Sequence, residues 1–190
     1  PRCMMGIAGT IEKYDSVKST QDVVKGMARI GQPEGMVVVA EEQTEGRGRH
    51  GRQWVSKKGN LYLSVLLRPS CPVGQIGQLS LLTGLSLYET LVKFIDDPEK
   101  LSLKWPNDVL LDGQKCAGIL LETELTGNQS IKSVALGIGV NIVTVPPGLG
   151  HSLKDYARKA PDLEKIQAAF LKNLNTYYLQ WIREDFMPIK

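Results

Sequence analysis

The sequence predicts an α+β fold, in which helices pack on one face of a mixed, mainly antiparallel β-sheet. Apolar runs of strand length predominate in the middle of the chain, and Asp112-Gly113 between two of them is a strong hairpin signal. A long segment with helical apolar spacing follows near the C-terminus. With 190 residues, of which 42% are hydrophobic, the chain is long enough to bury the core of one domain.

The individual elements are predicted from local patterns. Ser19 followed by Asp22 is typical of a capping box and predicts a helix that begins there. Continuous apolar runs predict buried strands. The predicted strands cover residues 7–14, 36–40, 61–67, 101–104, 109–111, 116–125 and 133–143, and two further helices cover 76–95 and 162–185. The apolar stripe of the last helix consists of Leu163, Ile166, Phe170, Leu174, Tyr177 and Trp181.

The positive charge of the chain is concentrated in one segment. The net charge is only +3, yet Arg47, Arg49, Arg52, Lys57 and Lys58 fall within a stretch that contains no acidic residue. This pattern indicates a local basic site on a protein whose overall charge is too small for non-specific binding of nucleic acid. No apolar run reaches transmembrane length and residues 1–10 lack a signal-peptide pattern, so we expect no membrane association.

The cysteines and histidines argue against a zinc site. Cys3, Cys71 and Cys116 are widely spaced, and His50 and His151 are the only histidines of the sequence. Zinc ligands normally come in closely spaced pairs, which are missing here. Free thiols are typical of proteins in a reducing compartment, and we therefore expect a cytoplasmic protein.

The segment Gly46–Trp54, with the sequence GRGRHGRQW, is named the arginine loop here. Its glycines match the spacing of the dinucleotide-binding fingerprint, but the residues that follow have no helical apolar period. Gly46 and Gly51 also match the glycine spacing of a P-loop, but Arg52-Gln53 occupy the positions of the required Lys and Ser/Thr. The composition suits a loop that encloses a polyanion. A solvated Gly/Arg surface loop or an RNA-binding segment explains the same residues.

Three further motifs are ambiguous when each is taken alone. In KWPND at residues 104–108, Asp108 could hold magnesium beside phosphates, or the segment could be an ordinary turn at a strand end. Lys115 before a buried strand could meet a bound carboxylate, or it could extend to solvent at a sheet edge. Gly137 and Gly139 could let a flat ring lie against the strand, or they could mark a bulge.

Taken together and in this order, the motifs resemble the catalytic domain of biotin protein ligases. The motifs that carry the resemblance are Ser19-Thr20-Gln21, Gln43 with the arginine loop, KWPND at 104–108, KCAGIL at 115–120 and GIGVN at 137–141. They extend over residues 7–143, and the C-terminal helix also fits. The resemblance implies the biotin/lipoate ligase fold, which is similar to that of class II aminoacyl-tRNA synthetases.

The resemblance also implies roles for individual residues. Biotin-binding positions are Ser19, Thr20, Gln21, Gln43, Arg47, Gly48, Arg49, Lys115 and Gly118. ATP- or adenylate-binding positions are Arg49, Arg52, Trp54, Lys104, Asn107 and Asn141. Lys115 and Arg49 are the expected catalytic residues, and Asp108 is the expected magnesium contact. Gln21 departs from the family, which usually has Asn at this position.

The implied reaction has two steps and a protein partner. Biotin and ATP would form biotinyl-5′-AMP and pyrophosphate with the help of Mg²⁺. A lysine of a biotin carboxyl carrier domain would then accept the biotin. We expect residues 1–190 to be the catalytic domain, with no N-terminal DNA-binding domain before the first motif and without the family's usual small C-terminal β-barrel. The open edges of the predicted sheet are compatible with a homodimer.

Two rival functions predict different features. A lipoate ligase or a lipoyl or octanoyl transferase would resemble this fold, but those proteins lack the GRGRxGRxW loop. A nucleic-acid-binding protein would carry aromatic residues for base stacking among its basic residues, and here only Trp54 lies among them. Both features favour a biotin protein ligase.

Overall fold

The computed structural model describes residues 6–7 and 10–187. These residues form three helices and seven strands joined by turns and short 3₁₀ segments. The strands are β1 (Ile11–Val17), β2 (Val37–Gln43), β3 (Leu61–Leu67), β4 (Leu101–Lys104), β5 (Asp108–Leu111), β6 (Gln114–Leu125) and β7 (Ile131–Val140). The helices are α1 (Thr20–Arg29), α2 (Gln78–Leu91) and α3 (Leu163–Arg183). Cys3 and residues 8–9 of the predicted first strand lie outside the described residues.

The strands form one sheet in the order β1-β2-β3-β7-β6-β5-β4. β1 runs parallel to β2, and the other neighbouring pairs are antiparallel. The β5–β6 hairpin turns at Asp112 and Gly113, whose φ angles are 51° and 77°. Positive φ at both central residues is what a two-residue hairpin turn of this kind requires. The predicted hairpin and the predicted mixed, mainly antiparallel sheet are therefore confirmed.

Alternation of side chains along β3 separates two apolar cores. Leu61 and Leu63 belong to the main core, which α2 and α3 share, while Leu66 packs with α1 on the opposite side. The two longer helices contact each other and cover one face of the sheet. The shorter α1 lies over the other face through residues such as Val24, which is fully buried. The predicted packing of the helices on one face holds for α2 and α3.

Several element bounds differ from the prediction. β2 continues past its buried first four residues to Gln43, whose polar side chain reaches the site described below. The helix predicted at 76–95 is shorter, because α2 ends at Leu91 and a 3₁₀ turn covers Val92–Phe94. In α3, Tyr178 is fully buried and the predicted Tyr177 is only partly buried. Across the described part of the chain, no helix has the length and apolar character of a membrane span.

The start of α1 agrees with the prediction in one respect and differs in another. Ser19 is the N-cap, and its hydroxyl accepts a hydrogen bond from the backbone N of Gln21 at 3.2 Å. A capping box also requires the backbone N of Ser19 to donate to the side chain of Asp22, and this bond is not among the contacts of the described residues. The carboxylate of Asp22 instead lies 2.9 Å from the guanidinium of Arg47, because a charged partner from the arginine loop is within reach.

Candidate active site

A cavity of about 240 Å³ opens on the side of the sheet that carries α1. Its walls come from the first turn of α1, the end of β2, the arginine loop and neighbouring parts of β6 and β7. The predicted site residues that line it are Ser19, Thr20, Gln21, Gln43, Arg47, Gly48, Arg49, Arg52, Trp54, Asp108, Lys115, Gly118 and Asn141. Lys104 and Asn107 lie outside this lining. The fold thus brings together residues from motifs that are far apart in the sequence.

One wall of the cavity is a network of uncharged polar groups. Gln43 Oε1 accepts from the backbone N of Thr20 at 2.8 Å and lies 3.2 Å from Thr20 Oγ1. Thr20 Oγ1 is 2.7 Å from Ser64 Oγ, which in turn donates to Gln21 Oε1 at 2.8 Å. We call this group, which consists of Ser19, Thr20, Gln21, Gln43 and Ser64, the polar corner. Buried polar groups that are bonded to one another are held in fixed directions, so this wall is preorganised.

Ser64 is a site residue that the sequence prediction missed. It lies in the middle of β3, whose seven residues are all buried, and it was taken as part of an apolar strand. Its hydroxyl connects Thr20 to Gln21 at zero exposure. A lone hydroxyl within a buried strand needs a polar partner, and this is the sequence signal that could have identified it.

The departure from the family at Gln21 is accommodated by a glycine. The Gln21 side chain is 4% exposed, and its Nε2 donates to the backbone carbonyl of Ala135 at 3.1 Å. A Cβ added at Gly137 would lie 2.6 Å from Gln21 Oε1. The longer glutamine amide therefore lies directly against the glycine of β7, which leaves no room for a side chain there.

The arginine loop folds back on itself, and its helical content is limited to the three-residue 3₁₀ turn Arg49–Gly51. Arg47 forms an isolated bridge with Gln53, and the backbone N of Gly48 donates to the carbonyl of Arg52 at 2.7 Å. A Cβ at Gly46 would lie 2.4 Å from Ser56 Oγ and from a backbone carbonyl, so the close approach requires glycine. The loop is a small hairpin and not the strand-to-helix turn of a dinucleotide or P-loop site.

Arg47 fixes this loop to the body of the protein. Its guanidinium lies 2.9 Å from Asp22 of α1 and 2.7 Å from Glu122 of β6. Burial acts to lower the pKa of Arg47, but the hydrogen bonds to Asp22 and Glu122 outweigh it, and the pKa is raised above its usual value. The arginine is thus a permanent cation that is shared between two carboxylates.

The charged part of the cavity is centred on Lys115. This residue lies at the start of β6, as predicted, and its Nζ is 3.0 Å from Asp108 Oδ1. The same ammonium lies 5.1 Å from the centre of the Trp54 ring, within the range of a cation–π contact. A lysine held between a carboxylate and an aromatic face is a compact positive charge at a fixed position on the cavity wall.

Trp54 lies flat on a pair of glycines. Gly118 and Gly139 are opposite each other on β6 and β7, and an added Cβ at Gly139 would lie 2.5 Å from Trp54 Nε1. An added Cβ at Gly118 would lie 3.3 Å from the same indole. The sequence predicted room for a flat ring at Gly137 and Gly139: Gly139 lies against the Trp54 indole of the protein itself, whereas Gly137 lies against the Gln21 amide. Within the described residues, Trp54 Nε1 is buried without a hydrogen-bond acceptor.

Three further predicted residues, Asn107, Lys104 and Asn141, differ in their position relative to the cavity. Asn107 is buried, and its amide donates to Ile119 O at 3.3 Å and to Ser80 Oγ at 3.4 Å, which gives it a structural role in anchoring the turn before β5. Lys104 is exposed at the end of β4. Asn141 is buried on the cavity wall, and its amide donates to the carbonyl of His151 at 3.4 Å.

Neither a protein-built metal cluster nor an active thiol is found in the described part of the chain. No group of three or more His, Cys, Asp or Glu side chains there could hold a metal ion. Cys116 follows Lys115 directly, but it is fully buried, and burial raises the pKa of its thiol to about 12. The thiol therefore remains protonated and unreactive near neutral pH.

Comparison with known proteins identifies the family. Residues 14–141 match the model of the biotin/lipoate A/B protein ligase family. The chain belongs to this family. A bifunctional ligase/repressor BirA from Bacillus subtilis is 35% identical over 187 residues, which cover 93% of this chain and 56% of the relative. A biotin–[acetyl-CoA-carboxylase] ligase from Mycobacterium tuberculosis is 39% identical over 154 residues, which cover 78% of this chain and 56% of the relative.

A solved structure with bound substrates shows the same architecture. The biotin protein ligase from Aquifex aeolicus in complex with biotin and ATP superimposes with a TM-score of 0.78 at 30% identity. The match covers 94% of this chain and 74% of the Aquifex chain. This chain spans about half the length of the curated relatives that it matches, at 56% of each of the two described above. The comparison confirms both the predicted family and the predicted fold class.

Proposed function

We propose that this chain is the catalytic domain of an ATP-dependent biotin protein ligase. The observation that carries the proposal is one cavity with two unlike walls, a buried neutral polar corner and a charged wall formed by Lys115 and the arginine loop. A neutral network suits an uncharged polar ring, while the cations suit a carboxylate beside phosphates. The names of the relatives, and the biotin and ATP in the Aquifex structure, support this assignment.

The first step joins two anions. A carboxylate oxygen of biotin attacks the α-phosphorus of ATP, the bond to the pyrophosphate oxygen breaks, and biotinyl-5′-AMP and pyrophosphate result. Lys115, Arg49 and Arg52, which all line the cavity, reduce the repulsion and stabilise the charge that builds on the phosphate oxygens. Asp108 holds the Lys115 ammonium at 3.0 Å and so fixes where this charge is presented.

Magnesium fits this site through Asp108. Mg²⁺ is usually bound by one or two carboxylates together with substrate phosphates and water, so a single cavity-lining carboxylate is a sufficient protein ligand. When bound there, the ion would supply further positive charge beside the phosphates. The other positive charges of the site come from the side chains of Lys115, Arg49 and Arg52.

The second step transfers biotin to a carrier protein. The uncharged amine of a lysine on a biotin carboxyl carrier domain attacks the carbonyl carbon of the mixed anhydride, AMP leaves, and the amine loses a proton to solvent. The enzyme needs no covalent nucleophile, because positioning and exclusion of water by the arginine loop are sufficient. This agrees with the protonated state of the buried thiol of Cys116.

Biotin-dependent release of pyrophosphate tests the proposal. The protein is incubated with ATP and magnesium, with or without biotin, and pyrophosphate is quantified before a carrier domain is added. We expect release only with biotin, followed by one biotin per carrier domain in its mass spectrum. Competition with lipoate separates the two branches of the family. Release that depends on lipoate and not on biotin would assign the chain to the other branch.

A further inference from the structure

Glu122 on β6 contacts the site from outside the cavity. It does not belong to the cavity lining, and its side chain is 25% exposed. Its Oε1 accepts from Arg47 Nη2 at 2.7 Å and from Gln21 Nε2 at 3.1 Å, and its Oε2 lies 3.4 Å from Lys25 Nζ. One oxygen atom therefore binds a residue of the arginine loop and a residue of the polar corner at the same time.

The contact with Arg47 connects the loop to the sheet. Arg47 comes 75 positions before Glu122 in the sequence, and its second carboxylate partner is Asp22 of α1. Charge-assisted hydrogen bonds to a partly buried guanidinium are among the stronger contacts in proteins. Loss of Glu122 would leave Arg47 with only the more exposed Asp22, whose side chain is 48% exposed, and so would loosen the loop.

The contact with Gln21 determines the direction of a chain of hydrogen bonds. Three acceptors surround Gln21 Nε2 and hold the amide nitrogen on that side: Glu122 Oε1 and the carbonyl of Ala135, both at 3.1 Å, and the carbonyl of Leu120 at 3.4 Å. Gln21 Oε1 must then accept the proton of Ser64 Oγ, and Ser64 must accept that of Thr20. With its proton used in this way, Thr20 Oγ1 presents lone pairs to the cavity.

We propose that Glu122 is a positioning residue that holds the arginine loop closed and orients the polar corner as a set of hydrogen-bond acceptors. Four of the five residues of the corner are positions that the family resemblance already assigns to biotin, so Glu122 would act on biotin binding through them. This inference rests on the proposed function, and it adds a residue that acts through Arg47 and Gln21. Neither role requires Glu122 to touch a substrate.

The chain offers a matched control on the same strand. Glu124 is two residues further along β6, so its side chain lies on the same face of the sheet. Both glutamates line the same groove between α1 and the sheet. Among the described contacts, Glu124 forms no ion pair and no side-chain hydrogen bond with Arg47 or Gln21. Glu124→Gln thus removes an equivalent charge without removing the proposed contacts.

The loop is tested first by limited trypsin digestion of the ligand-free protein. Cleavage after Arg49 and Arg52 is followed by mass spectrometry in wild type, Glu122→Gln, Glu122→Asp and Glu124→Gln. We expect about tenfold faster cleavage in Glu122→Gln, the size of one lost charge-assisted bond, and partial rescue in Glu122→Asp. Glu124→Gln should match wild type. Equal cleavage in all four proteins, or equal acceleration in Glu122→Gln and Glu124→Gln, would overturn the proposal.

Steady-state kinetics then test the polar corner. In Glu122→Gln, KM for biotin should rise about tenfold and by more than KM for ATP, because the looser loop affects both ligands whereas the lost orientation of the corner affects biotin alone. A parallel rise of both KM values would contradict an orienting role. Adding Glu122→Gln to Arg47→Ala should not accelerate cleavage after Arg52 any further, because the contact between the two residues is already lost in Arg47→Ala. If the wild type releases no pyrophosphate with biotin, the ligase assignment fails, whereas the digestion still decides whether Glu122 holds the loop.

Discussion

The two walls of the cavity differ in charge, burial and connection to the fold. The polar corner is neutral, four of its five residues are at most 4% exposed, and its groups bond to one another. The opposite wall consists of Lys115 and exposed arginines on a loop that is fixed mainly through Arg47. A rigid wall can select a ligand by shape and hydrogen bonding, while a charged loop can open and close around a reacting anion. Substitutions in the two walls should therefore have different kinetic effects.

The largest effect is expected from the charged wall at Lys115. Lys115→Ala removes the ammonium that lies 3.0 Å from Asp108 on the cavity wall. We expect biotin adenylation to fall by roughly two to three decades, the range for one donor to a developing anion. Single-turnover release of pyrophosphate measures the loss, and Lys115→Arg should recover little because its head group is wider. Near-full adenylation in Lys115→Ala would show that this lysine is structural.

A smaller effect is expected at Arg49, which lines the cavity on the arginine loop. Arg49→Gly removes one expected charge-assisted contact with the adenylate phosphate, worth about 1.5–3 kcal/mol, and adds a flexible residue to the loop. Biotinyl-AMP should then dissociate one to two decades faster, bystander proteins should become labelled, and biotin affinity should fall. The measurements are the dissociation rate of the adenylate, the affinity for biotin and biotin incorporation into an unrelated protein. A dissociation rate equal to that of wild type would remove Arg49 from the role of a lid residue.

The polar corner is tested through the glycine beneath Gln21. Gly137→Ala would place a methyl group 2.6 Å from the position of Gln21 Oε1 and force the amide to move. Overpacking typically costs about 1–3 kcal/mol, so we expect roughly tenfold weaker biotin binding with little change for ATP. Calorimetric titration with each ligand separates the two effects. An equal loss of ATP affinity would contradict the division of the cavity into two walls.

A glycine of α1 provides the control for that substitution. A Cβ at Gly26 would have no neighbour within 4 Å. Gly26→Ala should leave biotin binding unchanged and raise the free energy of unfolding by about 0.5–1 kcal/mol, because alanine is favoured over glycine in a helix interior. Chemical denaturation gives the second quantity. Weaker biotin binding in this variant would mean that changes anywhere near α1 affect the corner.

The smallest effect is expected at Lys104. The family resemblance implies a contact with ATP, but this lysine is exposed and lies outside the cavity lining. Lys104→Ala should change KM for ATP by less than roughly threefold, as is usual for an exposed charge at some distance. Steady-state titration with ATP measures it. A change as large as that of Lys115→Ala would extend the charged wall to β4.

Elements with strong local signals could be predicted from the sequence. Asp112-Gly113 between apolar runs predicted the β5–β6 hairpin correctly, and this hairpin places Lys115 at the start of β6. The helical apolar spacing of residues 163–181 predicted α3 in the same way. Such signals depend on residues a few positions apart, which is why they can be recognised in a single sequence.

The partners of the site residues could not be predicted in this way. Thr20 and Ser64 are 44 positions apart, and Arg47 and Glu122 are 75 positions apart. No local pattern specifies which carboxylate will meet Arg47 once the sheet has formed. The same reason explains why the contacts of the Asn107 amide with Ser80 and Ile119 could not be predicted. The motifs identified the cavity, and only the fold shows how its residues are oriented.

The indole on the glycine pair also gives the protein an optical probe of its own. The chain has three tryptophans in three different environments: Trp181 is fully buried, Trp105 is 78% exposed, and Trp54 lies on the cavity wall beside the Lys115 ammonium. A ligand that shifts the loop changes the surroundings of Trp54, which belongs to the loop. Its fluorescence therefore reports on loop movement without any label, and Trp105→Phe would remove much of the constant background emission.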